Sequence, residues 1–119
     1  MFKFRLFICT LALSIAGFSY ADTVTCKELY IDHVSLQGDR DDGMGFSNHL
    51  ILSFKDKNGV EKECGDMPYA HLSLTHPAVN QLHSNALAAK MANAEVVILV
   101  NTSKKILTLS NQLSVVGIQ

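Results

Sequence analysis

The densest grouping of side chains able to do chemistry lies at 38–47, where Asp39, Arg40, Asp41 and Asp42 are followed by Gly43 and Ser47. Three carboxylates so close together suggest a cation first. A calcium loop of the EF-hand kind needs ligands at its fifth and twelfth positions. Counted from Asp39, those positions hold Gly43 and Leu50, which offer no side-chain oxygen. The same residues also read as a solvated turn, because Asp and Gly suit turn geometry, or as a polar loop that meets a ligand. The histidines at 33, 49, 71, 76 and 83 follow no zinc spacing. His33 and His49 are placed to face each other across the first hairpin, either as a pH-sensitive contact or as two surface imidazoles. Nucleophilic catalysis finds no support, with no Gly-x-Ser-x-Gly elbow and no Ser/His/Asp arrangement that spacing alone defends. Paired carboxylates for glycoside hydrolysis need a cleft, for which a small barrel has little room. The expectation is a protein that is not an enzyme and holds no cofactor or metal.

The N-terminus carries the three parts of a secretory signal. Lys3 and Arg5 are the positive region, 6–17 is an uncharged apolar run, and Ser19 and Ala21 are small residues where a signal peptidase reads. The apolar run is shorter than the roughly 20 residues that span a bilayer. Cys9 sits inside it behind Leu6, Phe7 and Ile8, which does not fit a lipidation site. Cleavage after Ala21 would leave 98 of the 119 residues, one domain over 22–119 with 8 basic and 11 acidic side chains. No basic cluster exceeds Lys104-Lys105, so nucleic acid and anionic membrane surfaces are poor partners. No second run is long enough to span a membrane after cleavage. Two cysteines remain, Cys26 and Cys64. In an exported chain an even count reads as a disulfide, and two allow one connectivity. The expected location is the periplasm or the outside of the cell.

Periodicity gives the elements that would position these groups. A first strand is expected over 28–37. Leu29 and Ile31 lie on one parity, Val34 and Leu36 on the other, so a bulge near Asp32-His33 is needed to bring all four to one face. A second strand over 48–55 turns Leu50, Leu52 and Phe54 inward. Asn58-Gly59 is a strong hairpin signal and leads to a third strand over 60–64. A helix over 77–92 starts at Thr75 or His76 with Pro77 in its first turn. Val79, Leu82, Ala86 and Ala89 form its apolar stripe, with Asn93 as a left-handed C-terminal residue. The β-branched run at 95–100 is a buried strand. Residues 101–105 are expected to turn the chain into a last strand over 106–118, and with 38–47 they are the loop ends where a ligand is expected. The order implies a mainly β domain with one helix: a five-stranded, OB-fold-like Greek-key barrel with the helix between strands three and four. A plain α+β sandwich has the same elements.

The stretch His76-Pro77-Ala78-Val79 through Leu82, then Ala86-Leu87-Ala88-Ala89-Lys90 and Glu95-Val96-Val97-Ile98-Leu99-Val100, runs an Ala- and Leu-rich helix straight into a β-branched strand. In this the chain resembles the OB-fold B subunits of bacterial AB-type toxins, of the subtilase cytotoxin and pertussis-like kind, and related small secreted proteins. The 38–47 segment is similar to a Gly-Asp-x-x-Asp-Gly-Met-Phe-Ser segment of that family. The resemblance implies a homopentamer that binds host glycans, often sialylated, and a toxin A subunit as partner. It implies that Asp42 and Ser47 contact the sugar, with Asp39 and Arg40 beside them. The alternatives are a periplasmic protein-interaction or inhibitor domain with no sugar ligand, and a structural periplasmic domain.

Overall fold

The computed structural model describes residues 22–43 and 45–119; the expected signal peptide at 1–21 lies outside the described residues. The elements are β1 (Thr23–Gln37), β2 (His49–Lys55), β3 (Glu61–Lys62), β4 (Tyr69–Ser73), the helix α1 (Val79–Ala92), β5 (Val96–Ile106) and β6 (Ser110–Ile118). The chain is mainly β with one helix. Its strands form one mixed sheet in the order β1-β5-β6-β4-β2-β3. An additional β1–β2 pairing closes the sheet into a ring, leaving β3 outside it, paired to β2.

β1 closes the ring because it is long and bent. Its N-terminal half pairs with β5 and its C-terminal half with β2. The expected bulge is present: the β1–β2 register shifts between Ile31 and His33. One inserted residue moves Val34, opposite Leu52, onto the face already occupied by Leu29 and Ile31. A second shift between Cys26 and Leu29 contains Glu28 at φ 59°. Inside the ring lie Leu50, Leu52 and Phe54, as their alternation requires, together with Ala70, Leu72, Val96, Ile98, Val100 and Leu113, all 2% exposed or less. α1 packs onto this core through Val79, Ala86 and Ala89, with Leu82 partly buried beside them. Small side chains let the helix backbone approach the sheet. Asn93 ends the helix at φ 48°, and the amide of Ala94 donates to the Ala89 carbonyl (2.9 Å), a left-handed cap.

Several expectations need correction: first, the sheet has six strands and not five. The helix lies between the fourth and fifth strands, not the third and fourth, because Tyr69–Ser73 is a strand that the sequence had concealed behind Met67-Pro68. The expected third strand shrinks to two residues, since Glu61, Lys62 and Glu63 are all solvent-facing and Cys64 already begins a tight turn. The helix starts at Val79 with Ala78 as its N-cap and no side-chain cap. Instead Nδ1 of His76 accepts from the Ala78 amide (3.0 Å). The turn expected at 101–105 is a bulge within β5. Oδ1 of Asn101 accepts from the Ser103 amide (3.0 Å) and hydroxyl (2.7 Å), which kinks the strand without reversing it. The chain reverses after Ile106, where Leu107 has φ 53°.

The disulfide Cys26–Cys64 spans a Cα–Cα distance of 5.9 Å. It ties the N-terminal half of β1 to the turn at 64–67. The buried Asn111 on β6 holds the same turn, its amide donating to the carbonyls of Cys64 (3.1 Å) and Gly65 (3.0 Å). Gly65 sits at φ +66°, and a Cβ there would lie 2.6 Å from that Asn111 nitrogen. Gly65→Ala therefore meets both left-handed backbone strain and a clash with a buried hydrogen-bond donor. It is expected to cost about 3 kcal/mol in urea unfolding. A cost below about 1 kcal/mol would show that the turn can shift.

Candidate functional site

The inward parity of β2 and β4 fixes what they show outside. With Leu50, Leu52 and Phe54 inside, β2 turns His49, Ile51 and Ser53 outward. With Ala70 and Leu72 inside, β4 turns Tyr69 and His71 outward. The bulge in β1 sets His33, Ser35 and Gln37 on the same outer face. The registers align these residues in three rows across β1, β2 and β4: Gln37, His49 and Ser73; Ser35, Ile51 and His71; His33, Ser53 and Tyr69.

A groove of about 340 Å³ runs over these rows. Its floor is Ile51 and Ser53, its sides carry His33, Ser35 and Gln37, and Tyr69 stands 37% exposed at one wall. Phe46 from the β1–β2 connection and Leu109 from the β5–β6 turn close it. Phe46 meets Tyr69 edge to face, ring centroids 6.2 Å apart. Such a pairing holds both rings in place. A second hollow of about 450 Å³ continues past His33, Ser53 and Tyr69 toward Glu61 and Glu63. Oγ of Ser53 is buried and has no hydrogen-bond partner among the described residues. Buried hydroxyls are normally satisfied; this one lies beneath the groove surface, shut off from solvent.

The expected loop residues are brought together, but mainly onto one another. The Asn48 amide donates to the Gly38 carbonyl (3.1 Å) and closes the base of the 38–48 segment. The Arg40 amide donates to Oγ of Ser47 (3.1 Å), and the side chain of Asn48 donates to Asp39 (2.6 Å). Nε of Arg40 donates to both carboxylate oxygens of Asp42 at 3.1 Å, and Nη2 meets the same group. Asp39, Arg40, Asp42 and Ser47 thus brace the segment. Arg40 also reaches the groove, donating to Oε1 of Gln37 (2.6 Å) and orienting that amide. Among the described residues no group of three or more His, Cys, Asp or Glu is placed to hold a metal. The 101–105 stretch adds no side chain to the groove.

His49 does not face His33, which lies two rows away. Its neighbour is His71, ring centroids 5.6 Å apart at 72°. His71 is 6% exposed although it points outward; the β1–β2 connection runs along β4 beside it, from Phe46 on Tyr69 to Asn48, whose carbonyl accepts from the Leu74 amide (3.0 Å). Its Nδ1 is 2.7 Å from Oγ of Ser110, itself fully buried. Burial, and then the neighbouring His49, push its pKa down from 6.5 to about 4. A histidine depressed on folding binds its proton more readily when unfolded. The stability it confers is complete above pH 6.5 and is lost as the pH falls toward 4. The loss is on the order of 3 kcal/mol. Urea unfolding from pH 7 to pH 4 is expected to show it, and His71→Leu to flatten that part of the profile.

Sequence reasoning missed Phe46, Tyr69, Ser53 and Ile51 as a group. The one local signal was the alternation Tyr69, His71, Ser73 against Ala70 and Leu72. No helix among the described residues is long and apolar enough to cross a membrane. Compared with known protein families and with curated proteins, the sequence finds no match.

Proposed function

We propose that this protein is an exported, non-enzymatic binding module that takes a carbohydrate in the groove on the outer face of β1, β2 and β4. The observation that carries this reading is an exposed aromatic ring, Tyr69, standing in one groove with the exposed polar side chains of His33 and Ser35. A sugar has an apolar C–H face that an aromatic ring covers and hydroxyls that short polar side chains satisfy. Ser35, Gln37 and His33 offer donors and acceptors, and Asp42 and Ser47 border the same end through Arg40. Ring closure by a bent first strand and the parallel β4–β6 pair support reading the ring as an OB-fold-like Greek-key barrel. Such barrels bind ligands on a sheet face and the adjoining loops, and this groove lies on a sheet face beside the 38–48 segment.

The secretory signal and the disulfide support export to the periplasm or beyond. The resemblance to toxin B subunits supports host glycans as ligands, a homopentamer as the assembly and an A subunit as partner. Shallow sites of this kind bind weakly one by one and gain strength by multivalency. The test is a glycan array with sialylated and neutral sugars, run beside native mass spectrometry. Binding to a defined set of glycans by an oligomer supports the reading. A monomer that binds no glycan sinks it in favour of a protein-interaction domain.

A further inference from the structure

We propose that His49 and His71 form a proton-operated latch under residues 45–48, so that acid lifts this strap from the outer face and releases whatever the groove holds. The release rests on the groove being the ligand site; the opening of the strap does not.

The strap is fastened at several points, among them the Leu74 amide, which donates to the Asn48 carbonyl (3.0 Å). The Ser47 carbonyl accepts a hydrogen bond from Nδ1 of His49 (2.7 Å). A carbonyl can only accept, so neutral His49 carries its proton on Nδ1 and presents Nε2 as the free basic site. Phe46, 5% exposed, seals the groove against Tyr69. Beneath lies His71, in contact with His49 and bonded to Ser110. With the strap down, a proton on either ring puts a cation beside the other imidazole, and a proton on His71 places it out of reach of water. Lifting the strap hydrates both rings. Acid therefore favours the open form, because that form binds more protons.

Among the described residues no carboxylate is bonded to either ring to hold its charge. From β1 the nearest titratable group on this face is His33, beside Asp32 (3.6 Å). On β4 it is Tyr69, and the start of β6 offers Ser110, Asn111 and Gln112, none of which titrates. In the 38–48 segment Arg40 pairs with Asp42, and Asp39 accepts from Asn48. His76, past the end of β4, accepts from the Ala78 amide.

The experiment is amide hydrogen exchange of residues 45–48 from pH 7 to pH 4, expressed as protection factors, on the protein without ligand. With the ordinary histidine value in the open form and about 4 in the closed form, protection is expected to fall on the order of twentyfold between pH 7 and pH 5. β2 and β5 should keep theirs. His49→Gln keeps a donor for Ser47 while removing the imidazole beside His71, and should blunt the fall. His71→Gln, if it folds, should remove most of it. Direct titration of the two rings in the wild-type protein by NMR reads the latch without any variant. Protection at 45–48 that is unchanged down to pH 4, or that falls equally in both variants, overturns the latch. In parallel, a glycan bound at pH 7 should dissociate over the same range. Absence of binding at pH 7 defeats the glycan reading, while the exchange data still decide the latch.

Discussion

Tyr69→Ala is expected to abolish glycan binding while leaving the fold intact. The ring is 37% exposed and stands at the groove wall. Truncating it removes the flat surface on which a sugar ring rests and also the partner of Phe46. Aromatic anchors at the centre of binding sites commonly contribute about 2 kcal/mol or more, which is roughly thirtyfold in affinity at one site. In an oligomer the losses multiply across sites, so apparent avidity should fall much further. Melting temperature should drop by no more than a few degrees, because Tyr69 sits on the outer face and the core residues Ala70 and Leu72 are untouched. Ser35→Ala, at an exposed hydroxyl of the groove lining, should weaken binding more mildly, by the net value of one hydrogen bond, about 1 kcal/mol. Asp42→Ala and Ser47→Ala brace the 38–48 segment and should act between these two. If Asp42→Ala and Ser47→Ala abolish binding while Tyr69→Ala leaves it unchanged, the sugar sits on the loop and not in the groove.

Removing the disulfide is the second large effect. Cys26 and Cys64 are separated by 38 residues. Closing a loop of that length stabilises by roughly 4 kcal/mol in the chain-entropy model. For a domain of this size that corresponds to a fall in melting temperature of about 15 °C or more. The structure adds a local reason. Cys64 is 1% exposed and opens the turn that Asn111 grips from β6, while Cys26 lies in the half of β1 that pairs only with β5. The cross-link therefore joins two parts of the ring that no β-ladder connects. The double variant Cys26→Ala/Cys64→Ala should melt early, and wild type with reductant should match it. Equal melting of reduced and oxidised protein would show that the ladders alone hold the ring.

Much of the fold was legible because its signals are local. Period-two alternation placed Leu50, Leu52 and Phe54 inside. The parity conflict between Ile31 and Val34 located the bulge. Asn58-Gly59 marked a turn closed by Asp56, whose carboxylate accepts from the amides of Asn58 (2.8 Å) and Val60 (3.0 Å). These bonds, with Lys62 nearby, hold the Asp56 carboxyl below its ordinary value. The strand β4 was not legible. It offers only Ala70 and Leu72 to the core, and its partners are distant in sequence: β2 on one side and β6 on the other. The 101–105 turn misled because Asn and Ser favour turns by bonding their own backbone, and the same bonds also make a bulge. The groove was invisible for a related reason. Ser35, Ser53 and Tyr69 are ordinary outward-facing strand residues, and only the pairing register sets them side by side. The 38–47 loop, by contrast, was conspicuous in sequence because it is polar, and much of that polarity is spent on holding itself closed.

Whether the groove over β1, β2 and β4 binds a sugar is read by titrating isotope-labelled protein with an array-positive glycan and following backbone amide shifts. The largest changes are expected at Ser35, Ile51, Ser53 and Tyr69, with smaller ones at 45–48. Changes confined to 101–105 or to the helix, or none with any glycan, would contradict binding in the groove.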